Sequence, residues 1–322
     1  MSDPHTCESM CMDMGTATTD CVPCNVDVDI WTQCARHGPG QQNGPVSLNN
    51  RSVIYRLHPP EGEPFLVVLN GLWVDEEAGQ PFKGLRALEE ETGARIRYIL
   101  SPGAGHHLSL VHYAKAFPDA RVCVAAGRIP RENTELAAMD NVDVYPIDAP
   151  PAALEPAGLR IHVLGGLMEG PKAARAQFLT AGRWGYVCNS TEPLMVLHVP
   201  TGSITSGGHH WWFVPEGLDG VLDASGLVKF MVGMMGLGFD YMKPGAISCE
   251  TNHAFAIHNR AAFQASCKEV LSWEFDKLLD LHAQVNTCPT SGAKKLFEDA
   301  IGPIAAGQWD DVVWRESSLP PG

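Results

Sequence analysis

After residue 50 the chain carries short apolar runs separated by Gly- and Pro-rich turns. Ser52–Leu57 and Phe65–Asn70 flank the turn Pro59-Pro60-Glu61-Gly62 and predict a β-hairpin. Phe82–Thr92 sets Leu85 and Leu88 at helical spacing and stops before Gly93, which predicts a helix with a glycine C-cap. A strand at Ile96–Leu100 follows, then the loop Ser101-Pro102-Gly103-Ala104-Gly105, a helix from about His107 to Phe117 and a strand at Arg121–Ala125. Further strands are predicted near Val142–Ile147, Leu159–Leu164, Pro193–His198 and Gly202–Thr205. Leu222–Met235 is mostly apolar, as in a helix packed on most sides. Arg260–Trp273 and Ser291–Ala300 read as amphipathic helices with a short buried strand, Phe275–Leu281, between them. Residues 1–50 show no sustained period and read as an irregular, Cys-rich arm. Residues 51–322 then form one α/β domain.

Composition narrows the setting. Hydrophobic residues make up 45% and charged ones 19%, enough to fill a substantial core and too apolar for wholesale disorder. No run approaches the ~20 apolar residues of a bilayer span. The start of the chain, with Asp3, His5 and Glu8, lacks the basic-then-apolar layout of a secretory signal. Lys and Arg number 23 against 37 Asp and Glu, a net charge of −14. So acidic a surface repels phosphate backbones and anionic lipid. The expectation is a cytoplasmic protein acting on a small molecule, with no nucleic-acid or membrane partner and with homo-oligomerisation left open.

Five of the ten cysteines, Cys7, Cys11, Cys21, Cys24 and Cys34, crowd the first 34 residues. Cys21-Val-Pro-Cys24 is a C-x-x-C, and its two thiolates could share a metal with Cys34 and Cys7 or Cys11. The irregular spacing matches no standard zinc module, so an arm of reduced thiols is the other reading.

Thirteen histidines include two adjacent pairs. His106-His107 lies at a loop-to-helix junction after a strand. His209-His210 follows Ser206-Gly207-Gly208 after another strand and precedes Trp211-Trp212. Loops at strand ends are where a rigid scaffold can aim ligands into one cleft, and neutral imidazole is the commonest metal ligand. Helix capping and a surface pair are the competing reading.

The run Phe65–Asn70, the helix to Gly93, the strand Tyr98-Ile99-Leu100 and then Ser101-Pro-Gly-Ala-Gly-His-His107 resemble the opening of the metallo-β-lactamase superfamily. That family places its metal-binding motif H-x-H-x-D-H after such a strand. Here Pro102 and Ala104 stand at the first two histidines, His106 at the aspartate, and His107 keeps the last histidine. Thr201–His209 resembles the strand that ends in the family's metal-bridging aspartate, with Gly208 or His209 in its place. Trp273–His282 resembles the terminal strand that delivers the final histidine. The order of elements fits from about residue 50 to 302, and the resemblance implies an αββα sandwich of metallo-β-lactamase type.

It also implies a changed centre. One of the family's two metal sites has lost two ligands. The other keeps its positions with both carboxylates replaced by histidine: His106, His107, His209 and His282. The expectation is one divalent metal, zinc first and iron second, on nitrogen ligands that leave it its full +2 charge. Four tight ligands saturate a tetrahedral zinc, so turnover needs five-coordination or one histidine off the metal. His210 is the alternative to His209. His253 and Glu169 are candidate proton carriers, against solvated or backbone-bonded loop residues as the plain alternative. Trp211, Trp212, His210 and Trp73 would wall the pocket. Asp276 and Asp280 could accept the second N–H of His282, while His162 and His198 fit satisfied core or edge positions. The function these residues imply is a metal-dependent hydrolase working through a metal-bound water. Alternatives are an iron or copper redox enzyme on the same fold and a non-catalytic metal-binding relative.

Overall fold

The computed structural model describes residues 23–37, 47–72, 82–102, 109–125, 133–145, 151, 153–166, 194–206, 211–214, 222–223, 246–249, 259–281 and 290–309. Its strands are β1 (Cys24–Asp27), β2 (Ile30–His37), β3 (Ser47–Leu57), β4 (Phe65–Leu69), β5 (Arg95–Leu100), β6 (Arg121–Ala125), β7 (Val142–Tyr145) and β8 (Leu159–Val163). They continue with β9 (Leu194–His198), β10 (Ser203–Ser206), β11 (Trp211–Val214), β12 (Leu222–Asp223), β13 (Ala246–Cys249), β14 (Lys277–Asp280) and β15 (Thr290–Ser291). The α-helices are α1 (Phe82–Thr92), α2 (Leu110–Ala116), α3 (Thr134–Ala137), α4 (Arg260–Ser272) and α5 (Ala293–Ala305).

Sheet I has the order β1-β2-β3-β4-β5-β6-β7, with β12 paired to the start of β3. From β1 to β4 the pairs are antiparallel. From β4 to β7 they are parallel, because α1, α2 and α3 each carry the chain back before the next strand. Sheet II has the order β15-β14-β10-β9-β8, and its single parallel pair, β10 with β14, is the one spanned by α4. β11 and β13 form a separate antiparallel pair.

Side-chain alternation then divides three cores. Ile54, Leu66, Val68, Ile96 and Val122 face Leu85, Leu88, Tyr113, Phe117 and Leu136 of the α1–α3 layer. Val53, Tyr55, Leu57, Val67 and Leu69 point the other way and meet Leu159, Val196, Leu279 and Leu281 of sheet II. The outer face of sheet II, with Leu197, Ile204 and Leu278, packs on Phe263, Val270, Phe297 and Ile301 of α4 and α5. The layers therefore run α-β-β-α, the expected sandwich, and each fully buried large apolar side chain stabilises it by about 1.5–3 kcal/mol.

Local signals explain the boundaries. Gly93 takes φ +66 directly after α1, as its capping role requires. Asn259 caps α4, its side chain accepting the Ala262 N–H at 3.1 Å, and Asn133 caps α3 in the same way through Leu136. Among the described residues no helix is long and apolar enough to cross a membrane.

Three expectations need correcting. Residues 24–37 lie in β1 and β2 and β3 begins at Ser47, so ordered strands occupy part of the stretch read as an irregular arm. The run Ile30-Trp31-Thr32-Gln33-Cys34 is too mixed to read as a strand, yet pairing with β3 buries all five residues. Leu222–Asp223, expected as the start of a helix, pairs antiparallel with Ser47–Leu48; residues 224–245 lie outside the described residues. Cys24 is disulfide-bonded, so the cysteines of the N-terminal stretch are not all reduced thiols.

Candidate functional site

Register brings three strand ends to one rim of the sandwich. β10 and β14 run parallel with Ser206 opposite Asp280, so both leave sheet II on the same side. β9 begins there, because it pairs antiparallel with β10 and sets Met195 opposite Ser206. The Leu194 N–H donates to the Pro102 carbonyl at 2.9 Å, which joins the chain leaving β5 in sheet I to the same place. Sheet I also reaches across at β3: the Arg51 N–H donates to the Leu281 carbonyl at 2.9 Å, and the Arg51 guanidinium donates to the Asp280 carbonyl.

The rim is polar and buried. Asn50, Arg51, Asn70, Ser101 and Asp280 are all less than a tenth exposed. Asn70, directly after β4, sits at φ +66, a region few non-glycine residues adopt and one asparagine tolerates better than most. Its N–H donates to the Leu100 carbonyl at 3.0 Å. Its Nδ2 donates to Asn50 Oδ1 at 2.6 Å and to the Arg51 carbonyl at 2.7 Å. One side chain thus ties the exits of β4 and β5 to the start of the apolar part of β3.

The candidate ligands His106, His107, His209 and His282 lie outside the described residues, as do His210, His253, Glu169 and Trp73. Trp211 and Trp212 pair with Cys249 and Ser248 along β11; their side chains lie outside the description. What the structure brings together is the chain a few residues ahead of the candidate positions: Pro102 before the first histidine pair, Ser206 before the second, Leu281 before His282. Among the described residues no group of three His, Cys, Asp or Glu could hold a metal ion.

The remaining candidates separate by position. Asp276 precedes β14, at the end away from Leu281, where its carboxylate accepts the Gly292 N–H at 3.1 Å; it does not share the rim, and Asp280 does. His198 closes β9 at the opposite end, buried, stacked on Tyr55 with 5.7 Å between centroids and bonded through Nδ1 to Thr201 Oγ1 at 2.9 Å. Burial pushes its pKa down to about 4, against the opposing pull of Asp29 and Asp27. His162 meets the edge of Trp273, and burial lowers its pKa as well. His198 is a core histidine, as its apolar neighbours suggested, whereas His162 is half-buried on β8, at the edge of sheet II, and its Nε2 has no hydrogen-bond partner among the described residues. Burial, with the Asp143 charge, raises the Cys123 thiol to about 12, which leaves it no nucleophilic thiolate at neutral pH.

Near His198, Lys277 donates to Asp27 Oδ2 at 2.5 Å. Ser203 Oγ donates to the same oxygen at 3.4 Å. Burial works to raise the Asp27 pKa, but Lys277 and the Val28 N–H outweigh it and hold it below its ordinary value. This network closes the sandwich at the end opposite the rim.

No family model matches the sequence, and no curated protein matches it. Solved metallo-β-lactamases, the family the sequence resembles, are similar to the chain in structure. The metallo-β-lactamase from Pontibacter korlensis is 10% identical and gives a TM-score of 0.46 over 88% of this chain and 97% of its own. The FIM-1 metallo-β-lactamase from Pseudomonas aeruginosa, solved in its mono-zinc form, is 11% identical with a TM-score of 0.45 over 91% and 98%. That from Erythrobacter litoralis is 14% identical with a TM-score of 0.43 over 86% and 96%. The αββα layers and the rim rest on this chain's own strand register and hydrogen bonds.

Proposed function

We propose that this chain is a metal-dependent hydrolase acting on a small molecule, with one divalent ion held by His106, His107, His209 and His282. The observation that carries the reading is the shared rim, where the chain arrives at Pro102, Ser206 and Leu281 shortly before each candidate ligand. The donor set fits the group: imidazole nitrogens suit borderline divalent ions, zinc first and iron second. When bound, such an ion supplies a Lewis acid that polarises the bond under attack and lowers the pKa of water toward ~7. The chain's own part is to keep the four imidazoles neutral and aimed from a rigid frame. His253 and Glu169 are the residues proposed to move protons, and Trp211, Trp212, His210 and Trp73 to wall the pocket against bulk water.

Elemental analysis of protein purified without an affinity tag tests this. One equivalent of zinc, lost in His107→Ala and in His282→Ala, supports the reading. Two equivalents indifferent to both substitutions, or none, overturn it. Iron with oxygen-dependent turnover would move the chemistry from hydrolysis to oxidation.

A further inference from the structure

The turn Val28-Asp29, which joins β1 to β2, is flanked by carboxylates that reach different sheets. Asp29 is held by sheet I: its carbonyl accepts the Arg56 N–H at 2.8 Å. Its carboxylate accepts the Arg56 guanidinium at 2.5 Å and meets His58 Nε2 at 3.1 Å. Asp27 reaches sheet II, where its Oδ2 accepts Lys277 Nζ at 2.5 Å and the Ser203 hydroxyl at 3.4 Å. Ser203 and Lys277 open the parallel strands β10 and β14. Val28 at the tip is exposed, whereas both carboxylates are largely shielded. β1 is four residues long and stands at the edge of sheet I, so Asp27 fastens a short edge strand to the second sheet.

The hydrogen bonds behind Asp27 run in one direction. An ionised carboxylate only accepts, so Ser203 gives its one proton to Asp27. Ser203 Oγ in turn accepts from Thr201 Oγ1 at 2.9 Å, which commits the Thr201 proton. Thr201 Oγ1 is then left to accept from His198 Nδ1, 2.9 Å away, and His198 carries its ring proton on Nδ1. We propose that this turn is a proton-linked clasp: the charge on Asp27 fastens β1 to sheet II and fixes the tautomer of the buried His198, and discharging it releases both. The clasp stands apart from the proposed metal centre. Burial works to raise the Asp27 pKa, but Lys277 and the Val28 N–H hold it below its ordinary value, so the clasp is closed at neutral pH. A carboxylate lowered in this way loses its stabilising effect as pH falls through its folded pKa, which places release in strongly acid solution. The other charged or titratable groups at this end, among the described residues, are Asp29, Arg56 and His58. A contact that served only to stabilise the fold would leave the His198 tautomer unmoved.

Two measurements at neutral pH test the clasp. NMR of protein carrying isotopically labelled histidine reads the His198 tautomer, its signals assigned by their loss in His198→Gln. Hydrogen exchange reads the Val26–Ile30 amides. Asp27→Asn, which discharges the carboxylate without acid, is compared with wild type and with Asp29→Asn. Wild type is expected to hold the proton on Nδ1. In Asp27→Asn the ring shifts toward Nε2–H and the Val26–Ile30 amides exchange at least about 10-fold faster, as loss of one charge-assisted bond allows. Asp29→Asn keeps the wild-type tautomer, because its carboxylate lies outside the row of hydroxyls. The proposal is overturned by a wild-type ring protonated on Nε2, or by an unmoved tautomer or unchanged exchange in Asp27→Asn. An equal tautomer shift in Asp29→Asn also overturns it. If Asp27→Asn does not fold, Thr201→Val, which cuts the row of hydroxyls and leaves Asp27 on Lys277, decides alone. There the ring should shift toward Nε2–H, and an unmoved tautomer overturns the coupling.

Discussion

Acidification from about pH 7.5 to about pH 5 should cost this fold about 2 kcal/mol through one side chain, His198. Its ring lies against Tyr55 at the closed end of the sandwich, 2% exposed, and burial pushes its pKa from the ordinary 6.5 down to about 4. Asp29 and Asp27 oppose that shift and His58 reinforces it. Above 6.5 the imidazole is neutral in both states and contributes no pH dependence. Below it the unfolded chain takes up the proton and the folded chain does not until about 4, so stability falls as pH falls across that window. At about pH 5 the unfolded group lies roughly 1.5 units inside its protonation range, and at 1.36 kcal/mol per unit the loss is about 2 kcal/mol. That is a large share of the roughly 5–15 kcal/mol that holds a typical domain folded. Urea unfolding of wild type and His198→Gln at the two pH values measures it. The shared carboxylates Asp27 and Asp29 cancel between the two proteins, so wild type should lose about 2 kcal/mol more than the variant. Equal losses, to within about 0.5 kcal/mol, would refute the claim that burial keeps this ring neutral.

Two further substitutions test the frame around the rim and the docking of α4. Gly166 takes φ +81, and a Cβ there would meet the Asn259 carbonyl and lie 2.6 Å from the Phe263 nitrogen. Gly166→Ala should therefore destabilise by more than about 3 kcal/mol in urea unfolding, and a loss under about 1 kcal/mol would show that the 164–166 segment moves aside freely. Tyr113 presents its hydroxyl to the buried Leu72 N–H at 2.9 Å. Tyr113→Phe strands that donor and should cost about 1–3 kcal/mol by thermal unfolding, whereas a neutral outcome would mean another acceptor takes its place.

The candidate centre was partly legible because its residue types stand at positions that local pattern exposes: paired histidines following apolar runs that end in glycine. That these runs end at one rim was not legible. β10 and β14 lie side by side although some 70 residues separate them in the chain, and no local period encodes such a pairing. Arg51 illustrates the limit. A charged residue at the head of an apolar run reads as solvated, and only its contact with Asp280, 229 residues later, shows it buried. β2 was missed for a related reason, since Thr32 and Gln33 are buried by strand pairing and not by their own hydrophobicity.

The order of residues alone determined the local elements, the helix Phe82–Thr92 and the strand Arg121–Ala125 among them, because side-chain periods of about 3.6 and 2 are set by backbone geometry within one segment. It also set the chemistry on offer, in the histidines and the acidic surface. Only the tertiary structure decided which strand ends share a rim, which polar groups lose their water and which arginine holds the end of β14. Those outcomes depend on packing one sheet over another, where segments distant along the chain exclude solvent from each other and so fix what each must bond to.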